Sequence, residues 1–457
     1  MDMLPGKTLH TNGHKAPSVP EISPQKLHTE TQRRVAHEAQ REARRFLVSQ
    51  VTNSTRNVDA LRPFRPDEFG SEPGCPSNAH IQAVNQLIVH LRSQLQDKVA
   101  RLEITAQAAA RDGYSSRSME HMLRYREHVE AWVKLIEKIW AFYLELFGQR
   151  QTHYASMLLA ADRIALDCYQ VVYTGLGKAR SIPSPSAFSY METGFTPATF
   201  RRGVPLSRLG QQLNQFPIVS LPYHRLVNVW TLGAVHHEVS HNLQSDLDLW
   251  DEVPQRIRSA LEASGINGEI AEIWSRWHKE TWADLSGVLL GGPSIVASLM
   301  DVIGRSFRAT TAFNSTGVHP TSFLRLLINI ELLRRMGFGR EAARFQHMWL
   351  RLYPDIERSS IPAPLMRHAK QSIEVVVDTI AYQPYAQLGN KSLAAVAAFR
   401  TDHQAMIGEA AQRLAIGIDP GIIPARFLVA AARQAFDQQL APPQIINDNF
   451  YRALRQR

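Results

Sequence analysis

The sequence predicts a mainly α-helical protein with a small β-sheet lodged near its middle. Three observations carry that expectation. Apolar residues recur at three- and four-residue spacing over most of the 457 positions, the pattern of helices with one buried face. Strand-like groups are confined to residues 181–224, where prolines and small polar residues separate short apolar runs. A composition of 44% hydrophobic and 20% charged residues suits a globular chain with a sizeable core and room for two or three domains.

In chain order, residues 1–24 are polar, proline-bearing and aperiodic, and are expected to be disordered. The helical pattern over 25–51 is too charged for a core helix. Pro63, Pro66, Pro73 and Pro76 then suggest a linker. Ser77 is placed to cap a long helix over 81–110, with Ile81, Val84, Leu87, Ile88, Leu91 and Leu95 on one face. Asp112-Gly113 ends it, and Ser115 or Ser118 starts the next, through Met122, Val129, Leu135, Ile136 and Ile139 to Gly148. A third spans 152–173. Trp132, Trp140, Phe142, Tyr143 and Met157 fall at helical spacing and are expected in the core rather than around a cofactor. Together these segments form an N-terminal helical region, 25–180.

Past Ser181, residues 216–221 are expected as a strand and 196–204 as a weaker one. A helix follows from about 228 or 231 to 248, its apolar stripe made by Leu232, Val235, Val239 and Leu243. Asn267 is placed to cap another long helix, over 267–291, packed through Ile270, Ile273, Trp274 and Trp277 and stopped by Gly291-Gly292. Further helices are expected over 294–305, 320–336, 340–352, 364–380, 393–414 and 424–439, and the tail is expected to be frayed or docked by Phe450 and Tyr451.

Composition narrows the function classes. Two cysteines, Cys75 and Cys168, make no disulfide framework. The most apolar uncharged run, 285–300, falls short of the roughly 18–20 residues that span a bilayer. The first residues contain no apolar segment of the kind found in secretory signals, so a cytoplasmic location away from membranes is expected. The net charge is +9. Nineteen Lys/Arg against eleven Asp/Glu from Arg305 onward place +8 of it there. That excess could steer an anionic partner such as nucleic acid. No basic run accompanies it, and an arginine-rich surface is the plainer account.

The chemistry is concentrated in His237-Glu238-Val239-Ser240-His241. On a helix the two histidines lie one turn apart on one face, so both imidazoles can bind one zinc ion. Glu238 between them is then placed as general base toward water on the metal. A third protein ligand is needed. The extended form with a glycine turn and a third histidine fails, because Gln244 and Leu247 stand at those positions. Glu280 on the 267–291 helix fits better, with Asp284 one turn on to accept a hydrogen bond from a ligand imidazole. Glu269 and Glu272 are the other carboxylates considered.

The block FPIVSLPYHRLVNVWTLGAVHHEVSH, with KETWADLSG downstream, resembles the zinc metallopeptidases of the gluzincin type. The resemblance covers 196–325. It implies a zincin-like catalytic core over 181–325, between the N-terminal helical region and a C-terminal one over 326–457. It also implies Zn2+ held by His237, His241 and Glu280, Glu238 as base, Asp284 orienting a ligand histidine, and a peptide or protein substrate. For the oxyanion, His319 is a candidate donor, with Arg325, Tyr223 and Tyr190 as others. The alternatives are a zincin-fold interaction scaffold and a nucleic-acid-associated protease.

Overall fold

The computed structural model describes residues 24–177 and 181–457. The stretch expected to be disordered, 1–24, lies almost entirely outside the described residues. The chain is mainly α-helical, with a few short strands in small sheets. It divides into two compact units. Of the described residues, one comprises those up to Ala60 with Arg92–Lys134, the other Leu61–Leu91 with those from Leu135 to Arg457.

The first unit is built from α1 (Pro24–Ala60), part of α2 (Asn78–Arg111) and part of α3 (Ser116–Gly148). Residues 28–42 of α1 are exposed, and its apolar contacts come later, at Leu47 and Val58. The other two helices bury Val99, Leu102, Ala109, Met122 and Val129. Gly113 and Tyr114 turn the chain between them with φ of 63° and 62°. Ser115 Oγ then accepts the Ser118 N–H (3.2 Å), starting α3 where the sequence places a cap.

In the second unit the proline-rich stretch after α1 is not a linker. Phe64 and Phe69 are buried and pack on Phe147 with ring centroids 6.2 and 5.2 Å away. Asn85 takes both backbone groups of Phe64 in 2.8 Å hydrogen bonds, so the segment is tied to α2. Of the five aromatic and Met positions expected in the core, only Tyr143 is fully buried. Trp132, Trp140, Phe142 and Met157 lie at the edges of their helices' buried faces.

The main sheet has three strands, β1 (Phe188–Met191), β2 (Ala198–Phe200) and β3 (Ile218–Leu221). The central strand, β3, pairs parallel with β1 and antiparallel with β2, in the registers Phe188↔Ile218 and Thr199↔Val219. All four β3 residues are buried, which is why its sequence is an apolar run rather than an alternation. The β2 strand is shorter than the expected 196–204. The β1 strand was not expected, its four residues lying in a Pro- and Ser-rich stretch.

Helix α4 (Ala155–Gly175) packs on both the sheet and α5 (Gly233–Asp246). Next comes α6 (Glu252–Ala263), a helix not expected although Val253, Ile257 and Leu261 are buried at four-residue spacing. The long helix expected over 267–291 is two, α7 (Gly268–Arg276) and α8 (His278–Gly291), separated at Trp277. Trp274 and Trp277 are both buried. Asn267 does cap α7, its side chain accepting from the Glu269 N–H (2.7 Å). Helices α9 (Pro293–Ile303) and α10 (Ser322–Arg335) complete the surroundings of the site.

Farther on, the pattern over 364–380 divides into Ala363–Arg367, Ala369–Val377 and a π-helical turn, Asp378–Tyr382. That over 393–414 divides into Leu393–Val396 and Thr401–Ala415. The tail is a docked helix, Pro443–Arg455, with Phe450 fully buried and the Tyr451 hydroxyl donating to the Leu226 carbonyl. Both cysteines are free. Among the described residues no helix is long and apolar enough to cross a membrane.

Candidate metal centre

Helix α5 forms because Leu232, Val235, Val239 and Leu243 recur at helical spacing and are all buried. That stripe points His237, Glu238 and His241 to the border of the core. Small residues on α8 let the two helices approach closely. A Cβ added at Gly287 would lie 3.7 Å from the His237 backbone nitrogen, and one at Gly291 3.1 Å from His236 Nε2. This proximity carries Glu280 and Asp284 to the histidines.

The His237 and His241 Nε2 atoms are 3.1 Å apart, with their rings nearly perpendicular. Glu280 places one carboxylate oxygen 3.5 Å from His237 Nε2 and the other 3.5 Å from His241 Nε2. The three side chains thus present one donor atom each within 4.8 Å of one another. Asp284 Oδ1 accepts a hydrogen bond from His237 Nδ1 at 2.8 Å, which fixes the ring with Nε2 toward the cluster.

Arg325, on α10, closes one side. Its guanidinium donates to both Asp284 oxygens (2.6 and 2.9 Å) and lies 3.2 Å from Glu280 and 3.3 Å from His237 Nε2. One turn later Asn329 donates to the Arg325 carbonyl (2.8 Å), and its buried side-chain oxygen has no partner. His319 reaches the cluster from a largely exposed position, its Nε2 3.4 Å from Glu280. All of these groups line one cleft of about 420 Å³, together with Glu238.

Burial and close charges pull the titrations apart. Burial alone would lower the His237 pKa, but its hydrogen bonds to Asp284 and Glu280 outweigh it and raise it to about 10. His241 moves oppositely, to about 3, through burial and the neighbouring His237 charge. Burial lifts the Glu238 carboxyl to about 7. Burial also works against the charged forms of Glu280 and Asp284, yet both stay below the usual carboxylate range. For Glu280 the His237 hydrogen bond and the Arg325 charge prevail, and for Asp284 the Arg325 charge and the His237 hydrogen bond.

Several other candidates stand elsewhere. Tyr190 donates to Glu192 and, with Tyr223, lines a separate cleft of about 640 Å³. Glu272 pairs with Arg258 (2.8 Å), and Glu269 is exposed on the first turn of α7. Sequence reasoning missed the depth of Arg325's involvement and the whole of Asn329, although their spacing of four on one helix was visible. It also missed the tie from Asn242 Nδ2 to the Thr199 hydroxyl (2.7 Å), which fastens edge strand β2 to α5.

Comparison of the chain with protein-family models, curated proteins and solved structures finds no match. The functional assignment therefore rests on the chemistry of the cleft.

Proposed function

We propose that the chain is a zinc-dependent peptidase with a zincin-like core, in which His237, His241 and Glu280 hold the metal. The supporting observation is the donor set and its spacing. Ligand atoms about 2.1 Å from a tetrahedral zinc lie roughly 3.4 Å from one another. Here the two imidazole nitrogens are 3.1 Å apart, each has one of the two Glu280 oxygens 3.5 Å away, and one donor atom from each residue lies within 4.8 Å of the others. Asp284 on the far nitrogen of His237 is the outer carboxylate that such sites use to orient a ligand imidazole.

Zinc, when bound, supplies Lewis acidity that polarises a carbonyl and lowers the pKa of water. The protein's own groups do the rest. Glu238, in the same cleft and raised toward neutrality by burial, takes a proton from the attacking water and passes it to the leaving amine. Arg325 and His319 are N–H donors lining the cleft beside the metal-ligating group, where they are proposed to meet the charge that develops on the carbonyl oxygen. Residues 196–199 line the cleft, and the open edge of β2 is available to pair with an extended peptide backbone.

Nothing favours the nucleic-acid alternative over this function. Eight of the nineteen cations from Arg305 onward are engaged in ion pairs with carboxylates. The test is cleavage of an unstructured protein with and without a metal chelator, beside Glu238→Gln. Chelator-sensitive cleavage that the variant lacks is expected. Cleavage that survives either treatment rules the function out.

A further inference from the structure

Beyond the metal-ligating group, the same cleft contains two cations that the chemistry above does not use. Arg201 and Lys279 both line it, and among the described residues neither forms an ion pair. The carboxylate whose charge reaches Arg201, that of Asp251, does not pair with it.

Arg201 is held in place. It follows β2, whose Thr199 hydroxyl accepts from Asn242 and donates to the Ile218 carbonyl (3.1 Å). Asn242 is the residue after His241, so the strand and the metal-ligating helix are fastened together. Two residues of extended chain cover roughly 7 Å, which keeps the Arg201 backbone near that fastening. Its guanidinium lies 3.4 Å from the centroid of the Trp250 ring, a stack that covers one face and leaves the in-plane N–H donors free. Trp250 packs edge-on against His278 at 5.7 Å. Lys279 follows His278 and directly precedes Glu280.

We propose that Arg201 and Lys279 form a subsite for a carboxylate of the peptide substrate, either its C-terminal carboxylate or an acidic side chain. The proposal rests on the peptidase function above. A planar guanidinium fixed against an indole matches a carboxylate in two parallel hydrogen bonds, and the Lys279 ammonium lining the same cleft adds charge. Within a cleft such attraction exceeds that of solvated surface cations.

The test uses three matched peptides: one with a free C-terminus and no acidic side chain, its C-terminal amide, and that amide with one internal Glu. With Arg201→Gln, KM for the carboxylate-bearing substrate rises roughly tenfold or more while kcat changes little. The uncharged amide is unaffected, and Lys279→Gln acts in the same direction. Which peptide shows the effect identifies the source of the carboxylate. Equal effects on charged and uncharged peptides, or none, overturn the subsite.

If no peptide is cut, the peptidase function itself has failed, and calorimetric binding of the same peptides to the full chain decides the subsite separately. Tighter binding of a carboxylate-bearing peptide, abolished by Arg201→Gln, supports it. Equal binding of all three, or none, overturns it.

Discussion

Replacing Asp284 with asparagine changes the centre at one buried carboxylate while keeping its shape. The native side chain is 3% exposed and takes hydrogen bonds from His237 at 2.8 Å and from Arg325 at 2.6 and 2.9 Å. Removing one partner of a buried ion pair costs about 3–5 kcal/mol. Arg325 keeps Glu280 at 3.2 Å, so the lower end, about 3 kcal/mol, is expected. Loss of the charge behind a ligand imidazole weakens metal binding by roughly 10- to 100-fold, or about 1.4–2.8 kcal/mol. Urea unfolding in chelator measures the first quantity, and zinc titration against a competing chelator measures the second. A folded Asp284→Asn protein that binds zinc as tightly as wild type would refute the role given to Asp284.

Other outcomes follow from the same structure. Gly287→Ala is tolerated, since its Cβ meets Ile295 at 3.4 Å and the His237 nitrogen at 3.7 Å. Gly287→Val forces α5 and α8 apart, costs about 1–3 kcal/mol in thermal or urea unfolding, and weakens zinc binding. His80 is buried with Nε2–H donating to the Ser186 carbonyl (3.0 Å) and Nδ1 accepting from the Ser77 hydroxyl (2.7 Å). Burial lowers its pKa, so folding favours the neutral ring. That stability is present above the unfolded value of about 6.5 and is lost as pH falls below it. Urea unfolding at pH 7.5 and 5.5 checks this, with His80→Gln showing a smaller loss on acidification than wild type. Thr199→Val removes the tie between β2 and α5 and raises KM for extended peptides. An unchanged KM counts against substrate pairing on that edge.

Much of the centre was legible because its spacing is local. His237, Glu238 and His241 lie within one turn, and Glu280 and Asp284 are one turn apart on a helix recognisable from its apolar positions. What escaped depends on approach in three dimensions. Arg201 and Trp250 are far apart in the chain and meet only because β2 ends beside the loop after α5. The parallel pairing of β1 with β3 joins segments nearly thirty residues apart, and no local pattern announces it. Phe64 was hidden by the surrounding prolines, which suggest a linker until Asn85 is seen to hold its backbone. The break at Trp277 falls inside a run whose apolar spacing is that of one continuous helix, so helical periodicity does not register it.

The central claim is that two helices supply three ligands to one zinc ion. Elemental analysis of the purified chain beside Glu280→Ala tests it most directly. Close to one zinc per wild-type chain and a large loss of metal from the folded variant are expected. Zinc content unchanged in Glu280→Ala, or wild-type protein that takes up no zinc when it is supplied, would contradict it.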